Sequence, residues 1–258
     1  IPDRVRFSPG EQTQVVGLDI VGDTRAERDE VVALTLDSAT NAAIDPANAE
    51  VRVTIDDIDF DFNGDGVGDI VAGDYLARLF GGPSAVVSFG LPASNTIAPG
   101  MADLRLTTET GSDWLGFAVA SAGDLNGDGY SDLVIGDSRW QNGNGDAVGR
   151  AYVFFGSRTP PTGDVSVANA DLILQGEEVD ARFGATVSSA GDLNGDGYDE
   201  LMVGAFSYGG KPIVDPDQGR AYLWFGGATM GSGAPPVLDA ANADLIIDGE
   251  TDSYLTRT

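Results

Sequence analysis

The sequence predicts an all-β chain built mainly from a repeated four-stranded unit. Three observations carry this. The string Ser121-Ala122-Gly123-Asp124-Leu125-Asn126-Gly127-Asp128-Gly129-Tyr130 returns unchanged at 189–198, and an internal repeat is the first thing that sets a fold. Apolar residues come in short runs between Gly, Asp and Pro, as strands and their turns do. No stretch combines an apolar 3.6-residue period with helix caps.

In chain order, Val16, Leu18 and Ile20 alternate with polar or small residues. So do Val32, Leu34 and Leu36, and later Val51, Val53 and Ile55. Two-sided alternation fits strands of an antiparallel sandwich, and we place its end near Asp59. From residue 60 the repeat takes over. Ala102-Asp103-Leu104 returns at 170–172 and 243–245. Gly149-Arg150-Ala151-Tyr152-Val153-Phe154-Phe155-Gly156 returns as Gly219-Arg220-Ala221-Tyr222-Leu223-Trp224-Phe225-Gly226. Strands are expected at 117–120, 133–135, 152–155 and 172–174. Such units in series predict blades of a β-propeller over 60–258, about three in an incomplete ring. Residues 246–250 begin a unit without an Asp loop, so the chain reads as a piece of a longer protein. An open arc is expected, with its best-formed blades around 124–132 and 192–200 and its ends poorly packed.

Composition narrows the chemistry. The 258 residues hold 41 Asp and Glu against 14 Lys and Arg, a formal charge of −27. That excludes a nucleic-acid binder, which needs clustered cations, and argues against an anionic membrane surface. No apolar run is long enough to span a bilayer. Cys and His are absent, which removes disulfides, thiolate or imidazole metal sites, and every Cys or His catalyst. Metals that take oxygen ligands remain, chiefly Ca²⁺ or Mg²⁺.

The loops supply such ligands. Each reads D-x-N-x-D-G-x-x-[DE], with two copies at 124 and 192 and a looser one at 61. Positions 1, 3 and 5 set short oxygen-bearing side chains round a tight turn. Glycine at position 6 allows the left-handed backbone, position 7 offers a carbonyl, and position 9 returns a carboxylate. The expected Ca²⁺ ligands are Asp61, Asn63, Asp65, Val67 O and Asp69; then Asp124, Asn126, Asp128, Tyr130 O and Asp132; then Asp192, Asn194, Asp196, Tyr198 O and Glu200. Each set is contiguous, so loss of one is expected to leave the others intact. An EF-hand is excluded, because position 12 is Ala72, Ile135 or Val203 and strands follow. The competing reading is an Asn/Asp/Gly turn that binds nothing. Three loops in register weigh against it, since their clustered carboxylates repel one another without a cation.

Loop, FG and GRAYxxFG strings together resemble the FG-GAP repeats of the integrin α-chain β-propeller and its bacterial relatives, over about residues 60–258. The resemblance implies a loop that joins adjacent strands of a blade and holds Ca²⁺. The chain departs from the family in three ways. It has about three blades rather than seven, no FG strand ahead of its first loop, and Glu200 where Asp is usual, which loosens that site. It has no D-x-S-x-S string of an inserted adhesion domain. Residues 1–59 resemble the C-terminal half of a Calx-β domain, through Phe7-Ser8-Pro9-Gly10-Glu11, the 22–30 segment and Val53-Thr54-Ile55-Asp56-Asp57-Ile58-Asp59. That resemblance implies a second Ca²⁺ site at Asp56, Asp57 and Asp59, faced by Asp23 and Glu27; the alternative is a solvated acidic linker.

The expected function is a non-catalytic, Ca²⁺-binding extracellular or cell-surface module that binds a protein or carbohydrate ligand. The alternative is an accessory or substrate-binding region of a larger secreted hydrolase. Trp114, Trp140 and Trp224 are the candidates for a sugar-binding face, though packing between blades is the preferred reading. Loops 143–146 and 212–217 vary between units and are candidate recognition loops.

Overall fold

The computed structural model of the chain describes residues 30–35, 50–55, 60–74, 84–90, 98–109, 114–209, 219–231 and 237–249. Every regular element among them is a strand or a three-residue 3-10 turn. β1 (Glu30–Thr35) and β2 (Glu50–Ile55) pair antiparallel, with Val32 opposite Val53 and Leu34 opposite Val51. Two of the three expected N-terminal strands are thus present. The third, around Val16, Leu18 and Ile20, lies outside the described residues, as do Asp23, Glu27, Asp56, Asp57 and Asp59.

The strands of each unit pair antiparallel, and the first two sheets each gain a parallel edge strand. The first unit contributes β3 (Ile70–Gly73), β4 (Ala85–Ser88) and β5 (Leu104–Thr107), with no described strand ahead of its loop. The second contributes β6 (Leu115–Gly123), β7 (Asp132–Asp137), β8 (Arg150–Phe154) and, after a short β9 (Gly163–Ser166), β10 (Leu172–Gln175). The third contributes β11 (Phe183–Gly191), β12 (Glu200–Ala205), β13 (Arg220–Trp224) and, after a short β14 (Val237–Asp239), β15 (Leu245–Asp248). The sheets are ordered β3-β4-β5-β9, β6-β7-β8-β10-β14 and β11-β12-β13-β15, and none closes on itself. Three successive sheets of this kind fit a propeller-like fold.

The sequence does not announce β9 and β14. Each is too short to show a period, and each leaves its own unit to pair with the preceding one.

The shared strings have shared structural reasons. In Ala-Asp-Leu, the Asp carboxylate accepts the backbone N–H of the Phe in the FG that ends the preceding strand. Asp103 takes Phe89, Asp171 takes Phe155 and Asp244 takes Phe225, each at 2.8 Å. In Gly-Arg-Ala-Tyr, Arg and Tyr share one acid. Glu109 accepts from Arg150 Nη1 at 2.8 Å and Tyr152 Oη at 2.6 Å. Glu177 accepts from Arg220 Nη1 at 2.8 Å and Tyr222 Oη at 2.9 Å.

Apolar layers fill the spaces between sheets. Leu104, Leu106, Leu133, Ile135, Tyr152 and Phe154 form one cluster between the first two sheets. Val134, Val153, Leu172, Leu174, Leu201, Val203, Tyr222 and Trp224 form the next. β7 is buried along its whole length because Leu133 and Ile135 face one layer and Val134 the other. Burying each such side chain stabilises by about 1.5–3 kcal/mol. Neighbouring sheets approach closely at Gly136, where a Cβ would collide with the Gly184 carbonyl oxygen.

Candidate metal centres in the aspartate loops

Each aspartate loop sits where a unit enters its first strand after the turn: ahead of β3, between β6 and β7, and between β11 and β12. The first carboxylate organises the turn. Asp61 accepts N–H groups from Gly64, Asp65 and Gly66 at 2.8, 3.2 and 2.9 Å. Asp124 does the same with Gly127, Asp128 and Gly129 at 2.7, 3.1 and 2.9 Å. Asp192 repeats it with Gly195, Asp196 and Gly197 at 2.6, 3.1 and 2.9 Å. Position 6 is left-handed throughout, with φ of 81° at Gly66, 86° at Gly129 and 93° at Gly197.

Positions 3 and 5 extend the pattern. Asn63, Asn126 and Asn194 accept the N–H of Asp65, Asp128 and Asp196 at 2.8–2.9 Å. Those aspartates in turn accept the N–H of Val67, Tyr130 and Tyr198 at 2.9, 3.1 and 3.0 Å. Thus the side chains of positions 1, 3 and 5 converge on one short turn in all three copies.

Position 9 divides the loops. Asp69 accepts Phe62 N–H at 2.9 Å and Gly90 N–H at 2.8 Å, one bond to each oxygen. Asp132 accepts Leu125 N–H at 2.9 Å and Gly156 N–H at 3.0 Å. Glu200 accepts Leu193 N–H through Oε2, while its buried Oε1 has no hydrogen-bond partner. The carboxylate oxygens of Asp192, Asp196 and Glu200 lie within 4.8 Å of one another, among the described residues the one such group of three acids. The longer side chain therefore leaves an acceptor uncommitted where the shorter Asp is tied down.

Burial and like charge set the electrostatics. Burial, then the charges of Asp61 and Asp65, push the Asp69 carboxyl up to about 6, against the pull of its two backbone donors. Asp132 is pushed well above the usual carboxylate range, chiefly by burial and then by Asp128 and Asp124. Asp124 and Glu200 are raised for the same leading reason. Oxygen-only donors gathered where burial and like charge disfavour their ionised forms are a donor set for a hard cation such as Ca²⁺.

Position 8, which sequence reasoning passed over, joins the loops to one another. Ser131 N–H donates to Asp61 O at 3.1 Å, and Asp61 N–H donates to Ser131 Oγ at 3.0 Å. Asp199 and Asp124 repeat the exchange. A Cβ at Gly64 or Gly127 would run into the ring of Tyr130 or Tyr198 from the next loop. The signal was present as the repeated register of the loops, but pairing between units is not written in either copy alone.

The tryptophans pack rather than form a platform. Trp224 and Trp140 are buried, and Arg150 stacks 3.3 Å over the Trp140 ring. Trp114 is half-buried against Phe117 at 5.4 Å between centroids. This gives no support to a carbohydrate partner. Loop 143–146 is a tight hairpin whose Asn142 Oδ1 accepts Asn144 and Asp146 N–H groups at 2.9 and 3.0 Å, and 212–217 lies outside the described residues. Among the described residues no helix is long and apolar enough to cross a membrane.

Comparison with known proteins agrees with this geometry. Residues 115–154 and 183–224 match the FG-GAP repeat family, which are the second unit through β8 and the third through β13. The chain is 34% identical to integrin alpha-IIb of Mus musculus over 126 residues, 47% of this chain and 11% of that protein. It is 31% identical to integrin alpha-V of Gallus gallus over 173 residues, 66% of this chain and 15% of that protein. It is 33% identical to phosphatidylinositol-glycan-specific phospholipase D of Homo sapiens over 133 residues, 51% of this chain and 15% of that protein. The chain thus spans about one-seventh or less of these relatives.

Proposed function

From a chain that carries FG-GAP repeats, we propose a Ca²⁺-stabilised, non-catalytic binding module of an extracellular protein. Asp61, Asn63, Asp65, Val67 O and Asp69 hold one ion in this reading. Asp124, Asn126, Asp128, Tyr130 O and Asp132 hold a second, and Asp192, Asn194, Asp196, Tyr198 O and Glu200 a third. The observation that carries the reading is the threefold repetition of one hydrogen-bonded loop whose acids are gathered despite their mutual repulsion. The ion joins neighbouring strands and stiffens the end of each blade. The likeness to integrin α-chains supports a protein ligand over any other class. Residues 60–258 form the propeller part in this account, and residues 1–59, of which the β1–β2 pair is described, the end of a Calx-β-like sandwich.

A second reading is an accessory region of a secreted hydrolase, favoured by the likeness to phosphatidylinositol-glycan-specific phospholipase D. A hydrolase domain in the same polypeptide would favour it; further adhesive repeats would favour the first. Calcium titration of the metal-stripped chain tests the shared premise of both. Sites lost singly in Asp128→Ala and Asp196→Ala support it, and a silent titration of folded protein contradicts it.

A further inference from the structure

Among the described residues, the outer edges of β5 and β10 are covered in the same way. The segment before Ala-Asp-Leu leaves its unit and lies parallel on the last strand of the preceding one. β9 lies on β5 with Leu104, Arg105 and Leu106 opposite Gly163, Asp164 and Val165. β14 lies on β10 with Ile173 and Leu174 opposite Val237 and Leu238. The register is the same in both. Counted from the Leu of Ala-Asp-Leu, the second residue onward in the acceptor meets the residue seven before that Leu in the donor. A 3-10 turn, Val167–Asn169 or Ala240–Asn242, then returns the donor to its own sheet.

The pairs are matched in chemistry. One position earlier, Arg105 meets Asp164 through a 2.6 Å ion pair. At the same position in the next interface both residues are apolar, Ile173 and Val237.

β15 is the equivalent strand of the third unit, and among the described residues no strand pairs with its outer edge. Leu245, Ile246 and Ile247 are 47%, 36% and 48% exposed, whereas Leu172, Ile173 and Leu174 are 0%, 5% and 0% exposed under their partner strand and sheet. An open apolar edge of this kind is a template for another strand.

We propose that the free edge of β15 takes a parallel strand from a further unit of this repeat, apolar at the position of Val237. The inherited register sets Ile246 opposite that residue and Ile247 opposite the position of Leu238. Ile246 resembles Ile173 rather than Arg105, so β15 selects a β14-like strand over a β9-like one. A second copy of the chain is not the chosen occupant, because both donor strands described here are already engaged on β5 and β10. The inference is independent of the calcium reading.

Tethering tests it, since a flexible Gly/Ser linker gives millimolar effective concentration. The sequence of residues 235–243 is joined after Thr258 through such a linker, and amide hydrogen exchange is compared with a shuffled tether. Exchange in β15 is expected to slow at least tenfold with the native order. The sequence of residues 162–170 is expected to do less, and Ile246→Arg is expected to reverse that preference. Equal exchange with native and shuffled tethers, while β12 and β13 remain protected, would overturn the proposal. So would equal slowing by both tethers in both backgrounds, which would remove the register. Protection that grows with protein concentration under the shuffled tether would assign the edge to a second copy instead.

Discussion

Asp124 and Asp199 hold each other across neighbouring loops by two hydrogen bonds. Asp199 N–H donates to Asp124 O at 3.0 Å, and Asp124 N–H donates to the Asp199 carboxylate at 2.9 Å. Asp199 belongs to none of the expected ligand sets, yet it fixes the backbone of the residue that begins the second loop. Asp199→Ala removes one charge-assisted bond and is expected to lower stability by about 1 kcal/mol. It should also weaken Ca²⁺ at 124–132 several-fold while leaving the number of sites unchanged. Calorimetry on the variant checks both, and unchanged affinity would show that the loops act separately.

Metal and stability are linked. A ligand that binds only the folded state at a hundred times its dissociation constant adds about 2.7 kcal/mol per site. Melting in excess Ca²⁺ is therefore expected well above melting in chelator. Coincident curves would mark the loops as ordinary turns.

The pH dependence has a definite sign. The carboxyl of Asp69 is raised from 3.8 to about 6, so without metal the folded state holds its proton more tightly than the unfolded state. Its contribution to stability is present at low pH and is lost as pH rises from about 4 to about 6. Asp132 and Glu200 act in the same direction. Ca²⁺ requires the ionised forms, so excess Ca²⁺ should cancel or reverse the slope. Melting temperature against pH in chelator and in Ca²⁺ reads both signs.

Gly136→Ala probes a close approach of two sheets. The added methyl meets the Gly184 carbonyl oxygen, which belongs to backbone and cannot swing away. A loss of about 1–3 kcal/mol is expected in denaturant unfolding. A neutral result would show that the sheets slide apart without cost.

Much of this architecture was legible because the repeat carries its own chemistry. The identical strings at 121–130 and 189–198 placed the loops between β6 and β7 and between β11 and β12. The alternation around Val32 and Val53 placed β1 and β2. What stayed hidden lies between units. β9 and β14 have too few residues for a period, and their partners belong to another unit. Ser131 and Asp199 occupy a position that differs between copies, so their shared role appears only when neighbouring loops are seen side by side. That Glu200 carries a buried oxygen left without a partner beside Asp192 and Asp196 depends on packing round the loop that the motif does not spell out.

The central claim is that these loops hold Ca²⁺, and calorimetric titration of metal-stripped, folded protein tests it most directly. The account predicts two to three sites from the three loops, with Mg²⁺ much weaker, because mixed carboxylate, amide and backbone oxygens suit the larger ion's flexible coordination. Asp196→Ala should remove one site and lower the affinity of the loop tied to it through Asp199. No heat and no competition from either ion, on protein shown to be folded by its hydrogen-exchange protection, would contradict the claim.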